Sequence, residues 1–242
     1  MNRVLVVVRK EFREYRRNRF ILVTMAALPV VLLALLVAET FALPEGASEA
    51  ALRRPVGEAL LFLQLIPVML PTTIAAYAVM GEREQRTLET VLTTPVKDRE
   101  LLGGKMIAAV VPAIVIAWLL FGVYVGLAEI FAPHVVIEQI WTVEQAVAMA
   151  LLAPALAAFG IVAGVLVSLR SSDFRVAQQL AVLASAPVIG FVALITFRIL
   201  DPSVGLYAAA AAVVFLADAV LWELAVQLFS RERLLTARAA AR

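Results

Sequence analysis

An all-α membrane protein with six crossing helices is the fold class that the sequence predicts, and three observations carry it. Of 242 residues, 63% are hydrophobic and 17% charged, with a mean hydropathy of +0.94. Soluble domains hold roughly 45–50% apolar residues, and a water-soluble core has no room for this excess. Six windows have the length of about 20 apolar residues that a crossing helix needs: 20–38, 60–80, 106–128, 146–169, 176–197 and 204–229. The first five contain no Asp, Glu, Lys or Arg. Finally, the basic residues are segregated. With both termini on the cytoplasmic side, 18 of the 21 Lys and Arg residues fall inside, and only Arg53, Arg54 and Arg198 fall outside. That bias is the positive-inside rule, and it fixes the orientation.

Residues 1–19 precede the first window. Leu5, Val8, Phe12 and Tyr15 recur there at helical spacing, while Arg9, Lys10, Arg13, Arg16 and Arg17 occupy the remaining surface. This pattern predicts an amphipathic helix in the headgroup layer, its cations near anionic lipid. The simpler alternative is a basic anchor that only sets topology. The charged lead and the lack of a small-residue cleavage site mark the first window as a retained helix. Residues 20–242 then form one six-helix domain. Prolines stand inside five of its windows, at Pro29, Pro67, Pro71, Pro112, Pro154 and Pro187. A soluble helix is broken by such residues, whereas in a membrane neighbouring helices satisfy the freed carbonyls.

The loop 81–105 reads GEREQRTLETVLTTPVKDRELLGGK. Residues 82–93 have helical composition with Leu88, Val91 and Leu92 on one side, Thr94-Pro95 stops them, and a second helix starts near Lys97 and runs into the third span. Two short helices joined by a proline turn form a stiff knob, and a stiff element transmits displacement that a flexible linker absorbs.

At this point the sequence resembles the ABC-2 transporter permease family. The resemblance lies in Arg9-Lys10-Glu11-Phe12 before a proline-containing first span. It continues in the loop series Glu82-Arg83-Glu84, Thr87-Leu88-Glu89, Leu92, Thr94-Pro95-Val96, Glu100-Leu101 and Gly104-Lys105. It implies a cytoplasmic coupling helix that docks in a groove of a separate ATPase subunit, formed here by Glu82, Arg83, Glu84, Arg86, Leu88, Glu89, Val91, Leu92 and Pro95. The amphipathic N-terminal helix is implied to run along the membrane beside it. Two membrane domains with two ATPases are implied as well, so this chain pairs with a second copy or a paralogous permease. Family members often carry glycine where Arg86 stands and serine where Lys97 stands. The first change favours a continuous helix; the second removes an N-cap that would box with Glu100.

No phosphate-cradling loop is present: Gly103-Gly104-Lys105 lacks the upstream glycine and the following hydroxyl residue of G-x-x-x-x-G-K-[ST]. The chain is therefore expected to be no enzyme and to hold no cofactor of its own, with ATP and Mg bound by the partner ATPase. Cysteine is absent and His134 is the single histidine, which excludes disulfides, thiolate metal sites and a multi-histidine zinc site. A formal charge of +2 implies no nucleic-acid partner. No serine and histidine pair stands within the spans, which argues against an intramembrane protease.

Asp218 sits mid-way along the sixth window, where a carboxylate costs roughly 2.5–3.5 kcal/mol on insertion scales and must face protein or water. It lines a translocation path or meets a cation on one reading, and is a hydrogen-bonded structural residue on the other. Gly122 and Gly126, and Gly160, Gly164 and Ser168, form small-residue stripes that let backbones approach. Trp118, Trp141 and Trp222 require nothing beyond packing or interfacial anchoring, and His134 reads as a solvated connector residue. The expected function is the permease of an ATP-driven exporter in a prokaryotic cytoplasmic membrane, exposed to membrane lipid. The rivals are an ATP-independent carrier or channel using Asp218, and a non-transporting membrane anchor for an ATPase. A carrier ordinarily shows more intramembrane polar groups and a repeat of its spans.

Overall fold

The computed structural model describes residues 3–41, 49–84, 97–169 and 174–229, and every regular element among them is a helix. In order these are α1 (Arg3–Arg17), α2 (Arg19–Phe41), α3 (Glu49–Glu84), α4 (Asp98–Phe131), α5 (His134–Ile140), α6 (Val143–Val147), a π-turn (Ala148–Leu152), α7 (Ala153–Ser168), α8 (Phe174–Ala184), α9 (Ala186–Thr196) and α10 (Val204–Leu228). Among the described residues, four apolar stretches are long enough to cross a membrane: Arg54–Thr72 of α3, α4, Val143–Ser168, and α10. A fifth crossing arises if α8 and α9, bent by 47°, count as one broken span. In α2 the apolar stretch Met25–Phe41 is shorter.

Helices α3 and α7 form the centre. At Gly160 a Cβ atom would stand 2.4 Å from the Val68 carbonyl oxygen, so only glycine admits this approach. The Thr72 hydroxyl has one proton for two acceptors, the Val68 carbonyl oxygen of its own helix at 2.6 Å and that of Gly160 across the contact at 3.1 Å. Gly160 therefore packs within the chain, whereas a Cβ added at Gly122 or Gly126 would meet nothing within 4 Å.

Prolines account for the two irregularities. Pro187 has no N–H for the carbonyl four residues earlier, and the chain bends between α8 and α9, where the Ser185 hydroxyl donates to the Ala181 carbonyl at 3.0 Å. The fifth window is thus two helices joined by a 47° bend. Around Pro154, the Ala153 N–H reaches back five residues to the Ala148 carbonyl. This leaves the Met149 carbonyl with neither its usual donor nor one from Pro154. Trp118 of α4 fills the vacancy, its Nε1 donating to Met149 at 2.8 Å. That indole does more than the packing or anchoring expected of it, because an unmet carbonyl in hydrocarbon costs several kcal/mol.

The segment between α4 and α7, expected as a plain connection, folds back as α5, which buries Val136 and Ile140 among Leu63, Tyr124 and their neighbours. His134 is exposed at the first turn of α5. At the opposite end of the bundle a second apolar cluster gathers Val7 and Tyr15 of α1, Leu101 and Leu102 of α4, Ile161 and Val165 of α7, and Ala225 and Phe229 from the end of α10.

Candidate functional site

The first turns of α4, from Asp98 to Lys105, are the final part of the segment 81–105, and two other helices hold them. Lys97 caps α4 without a side-chain cap bond of its own. Glu100 nevertheless reaches back and accepts from the Lys97 backbone N–H at 3.0 Å, so half of the expected box survives the loss of serine.

On one side lies α1. A Cβ on Gly104 would stand 2.6 Å from Cβ and Cγ1 of Val7 and 3.3 Å from the Val4 carbonyl oxygen. One turn further along α1, Glu11 accepts from Lys105 Nζ at 3.0 Å, with side-chain exposures of 2% and 4%. Lys10 borders the same carboxylate at 3.4 Å and pairs with Glu14 at 3.1 Å. Arg3 and Glu100 close the outer edge at 3.8 Å. The buried face of α1 is Val7, Glu11 and Tyr15. This corrects the expected apolar face: Tyr15 is buried, Val8 and Phe12 are half-buried, and Leu5 is exposed. The physical reason is that α1 packs on α4 through a glycine notch and an ion pair.

On the other side lies α10. A Cβ on Gly103 would meet the Trp222 ring at 3.7 Å, an ordinary contact, and Arg99 pairs with Glu223. Both partners of that pair are more than half exposed, so it contributes at most about 1 kcal/mol. The consecutive glycines thus serve two neighbours, one facing α10 and the other α1. Glu11, Gly104 and Lys105 were all visible in the sequence, but their joint role was not. The only signal was an acidic residue inside the basic helix, together with a glycine pair beside a lysine.

The coupling residues divide. Glu82, Arg83 and Glu84 belong to the last turn of α3; Arg86, Leu88, Glu89, Val91, Leu92 and Pro95 lie outside the described residues. Asp218 lies on the buried stripe Tyr207, Ala211, Val214 and Asp218 of α10. It is 7% exposed, and neither carboxylate oxygen has a hydrogen-bond partner among the described residues. Glu223, expected in interfacial water, is exposed and salt-bridged as above. Among the described residues no group of three or more His, Asp or Glu could hold a metal.

Long apolar helices, prolines tolerated inside them and ion pairs confined to their ends define a multi-pass membrane protein. The family model described as ABC-2 family transporter protein matches residues 5–231, and the chain belongs to that family. Membership makes it a permease subunit and implies an ABC ATPase as partner. No curated protein matches the chain.

Proposed function

We propose that the chain is the permease of an ABC-2 exporter, with six spans, both termini cytoplasmic, and a translocation path shared with a second copy or a paralogous permease. The grip of α1 and α10 on the first turns of α4 carries this reading: a displacement applied to the loop 81–105 reaches three helices at once instead of bending one. ATP and Mg belong to the partner ATPase, whose approach to its twin on binding ATP moves the loop and switches exposure of the path. Helix α2 supplies the first span, since its 23 residues extend about 34 Å at 1.5 Å per residue, against a hydrocarbon core of about 30 Å. The broken pair α8 and α9 supplies the fifth.

The reading is tested by purifying the chain from its native prokaryotic membrane. An ABC ATPase should copurify, and the reconstituted complex should hydrolyse ATP; purification without any ATPase contradicts it.

Asp218 favours a second reading. A buried, unpartnered carboxylate in a crossing helix suits a cation or proton site, as an ATP-independent carrier would use. Proteoliposomes of the permease alone separate the two: cation-driven flux abolished in Asp218→Asn supports the carrier, while flux only with the ATPase and ATP supports the exporter. In the exporter, Asp218 faces the path, and Asp218→Asn lowers transport without lowering ATPase assembly.

A further inference from the structure

At the end of the bundle opposite α1, a cavity of about 250 Å³ is bordered by Thr142, Glu144, Gln145, Thr196, Arg198 and Tyr207. Drug-sized sites begin near 300 Å³, so an occupant here is smaller. Three features distinguish the cavity from a packing defect. The Gln145 side chain is 2% exposed, yet its Nε2 has no hydrogen-bond partner among the described residues. A buried amide donor left unmet costs about 1–3 kcal/mol. Glu144 and Arg198 carry opposite charges at one cavity and make no ion pair with each other or with any other described residue.

The third feature is the backbone of Arg198, at φ 55°. Its N–H bonds to the Ile195 carbonyl and the Ile199 N–H to the Leu194 carbonyl, both at 2.9 Å. These two bonds make a Schellman ending for α9, in which the left-handed residue is usually glycine. A side chain there costs roughly 1–2 kcal/mol, and strain of this kind is characteristic of ligand sites. The arginine therefore stands at the cavity where glycine would be less strained. Close packing fixes the turn: a Cβ on Gly57 of α3 would be 3.3 Å from the Thr196 carbonyl oxygen and 3.2 Å from the Phe197 ring.

We propose that this cavity binds a small zwitterion, its anionic group on Arg198, its ammonium on Glu144, and its remaining acceptor on Gln145 Nε2. A charge pair split by the ligand leaves no net charge at the site, and each end gains a charge-assisted hydrogen bond. The residues immediately around this segment, Trp141, Val143 and Ile199, are apolar and exposed, which suits a mouth that opens at the membrane surface. Phosphoethanolamine chemistry fits both size and charge, and it comes either as a lipid headgroup or as a free solute.

The test uses the purified full chain without any ATPase, so its failure leaves the exporter reading untouched. Titration calorimetry compares glycerophosphoethanolamine with ethanolamine and glycerol 3-phosphate. The whole zwitterion should bind at least about tenfold tighter than either half. Arg198→Gly, which relaxes the backbone, should erase its advantage over ethanolamine, and Glu144→Gln its advantage over glycerol 3-phosphate. Native mass spectrometry of protein extracted from vesicles of equal phosphatidylethanolamine and phosphatidylglycerol identifies the source. Phosphatidylethanolamine retained by the natural chain and lost from both variants points to the lipid; binding of the soluble zwitterion without retained lipid points to the solute. The proposal is overturned if neither form binds, if the half molecules bind as tightly as the whole, or if both variants bind like the natural chain.

Discussion

Glu11 and Lys105, separated by 94 residues, meet as a buried ion pair at 3.0 Å and fasten α1 to the base of α4. Removing one partner from such a pair leaves the other buried with less compensation, Glu11 beside Lys10 at 3.4 Å, and costs up to about 3–5 kcal/mol, whereas replacing both with apolar residues is often neutral. Glu11→Leu and Lys105→Met should each lower thermal stability in detergent by several degrees, and the double variant should regain most of the loss. If the pair matters only for stability, the double variant also regains ATPase-coupled transport. If its charge fixes the register of α1 on α4, stability returns and coupling does not. Either result requires destabilised single variants, and thermal melts of all three check this.

The adjacent glycines supply a matched contrast. Gly104→Ala places a methyl 2.6 Å from Val7, an overlap that backbone movement must relieve at about 1–3 kcal/mol. Gly103→Ala meets only the Trp222 ring at 3.7 Å and should be neutral, or slightly stabilising through helix propensity. Val7→Ala should not rescue Gly104→Ala, because Val7 Cβ itself is one of the clashing atoms; Val7→Gly should rescue it in part. Paired melting curves read both effects.

Trp118→Phe keeps a ring but removes the donor to the Met149 carbonyl. It should lower stability by about 1–3 kcal/mol, the cost of leaving a buried acceptor unmet. Trp141→Phe keeps the tilted ring contact with Phe121 at 6.1 Å and should be close to neutral. Unfolding of the two variants under identical detergent conditions compares them directly.

Orientation is open to labelling because the chain has no cysteine. With Ser48→Cys and Ser171→Cys introduced separately, a membrane-impermeant maleimide applied to sealed cells should modify only position 48. Modification of position 171 overturns the proposed orientation.

The sequence made the class legible because apolar length and basic asymmetry are one-dimensional properties, and residues 20–38 or 106–128 need no partner to be recognised. It also carried the amphipathic character of α1, but not that Glu11 joins Val7 and Tyr15 on the face packed against protein. Glu11 faces protein because Lys105 does, a fact that exists only once two distant helices are packed. The same holds for Trp118, whose partner is a carbonyl orphaned by Pro154 on another helix, and for Gly104, whose value depends on Val7. Arg198 was counted only as an outer charge, since a left-handed backbone at a non-glycine residue leaves no mark in composition.

We propose that an external ATPase drives this permease through the loop 81–105. The sequence predicts an apolar stripe of Leu88, Val91 and Leu92 in that loop, suited to a protein groove, and a carboxylate forced into such an interface costs several kcal/mol. The direct measurement is copurification of the ATPase with Leu88→Asp, beside Arg238→Asp as a charge change expected on the same side of the membrane. Leu88→Asp should insert normally, bind the ATPase about a hundredfold more weakly and lose ATP-driven transport, while Arg238→Asp should keep both. Equal ATPase recovery and equal transport in the two variants would contradict this proposal.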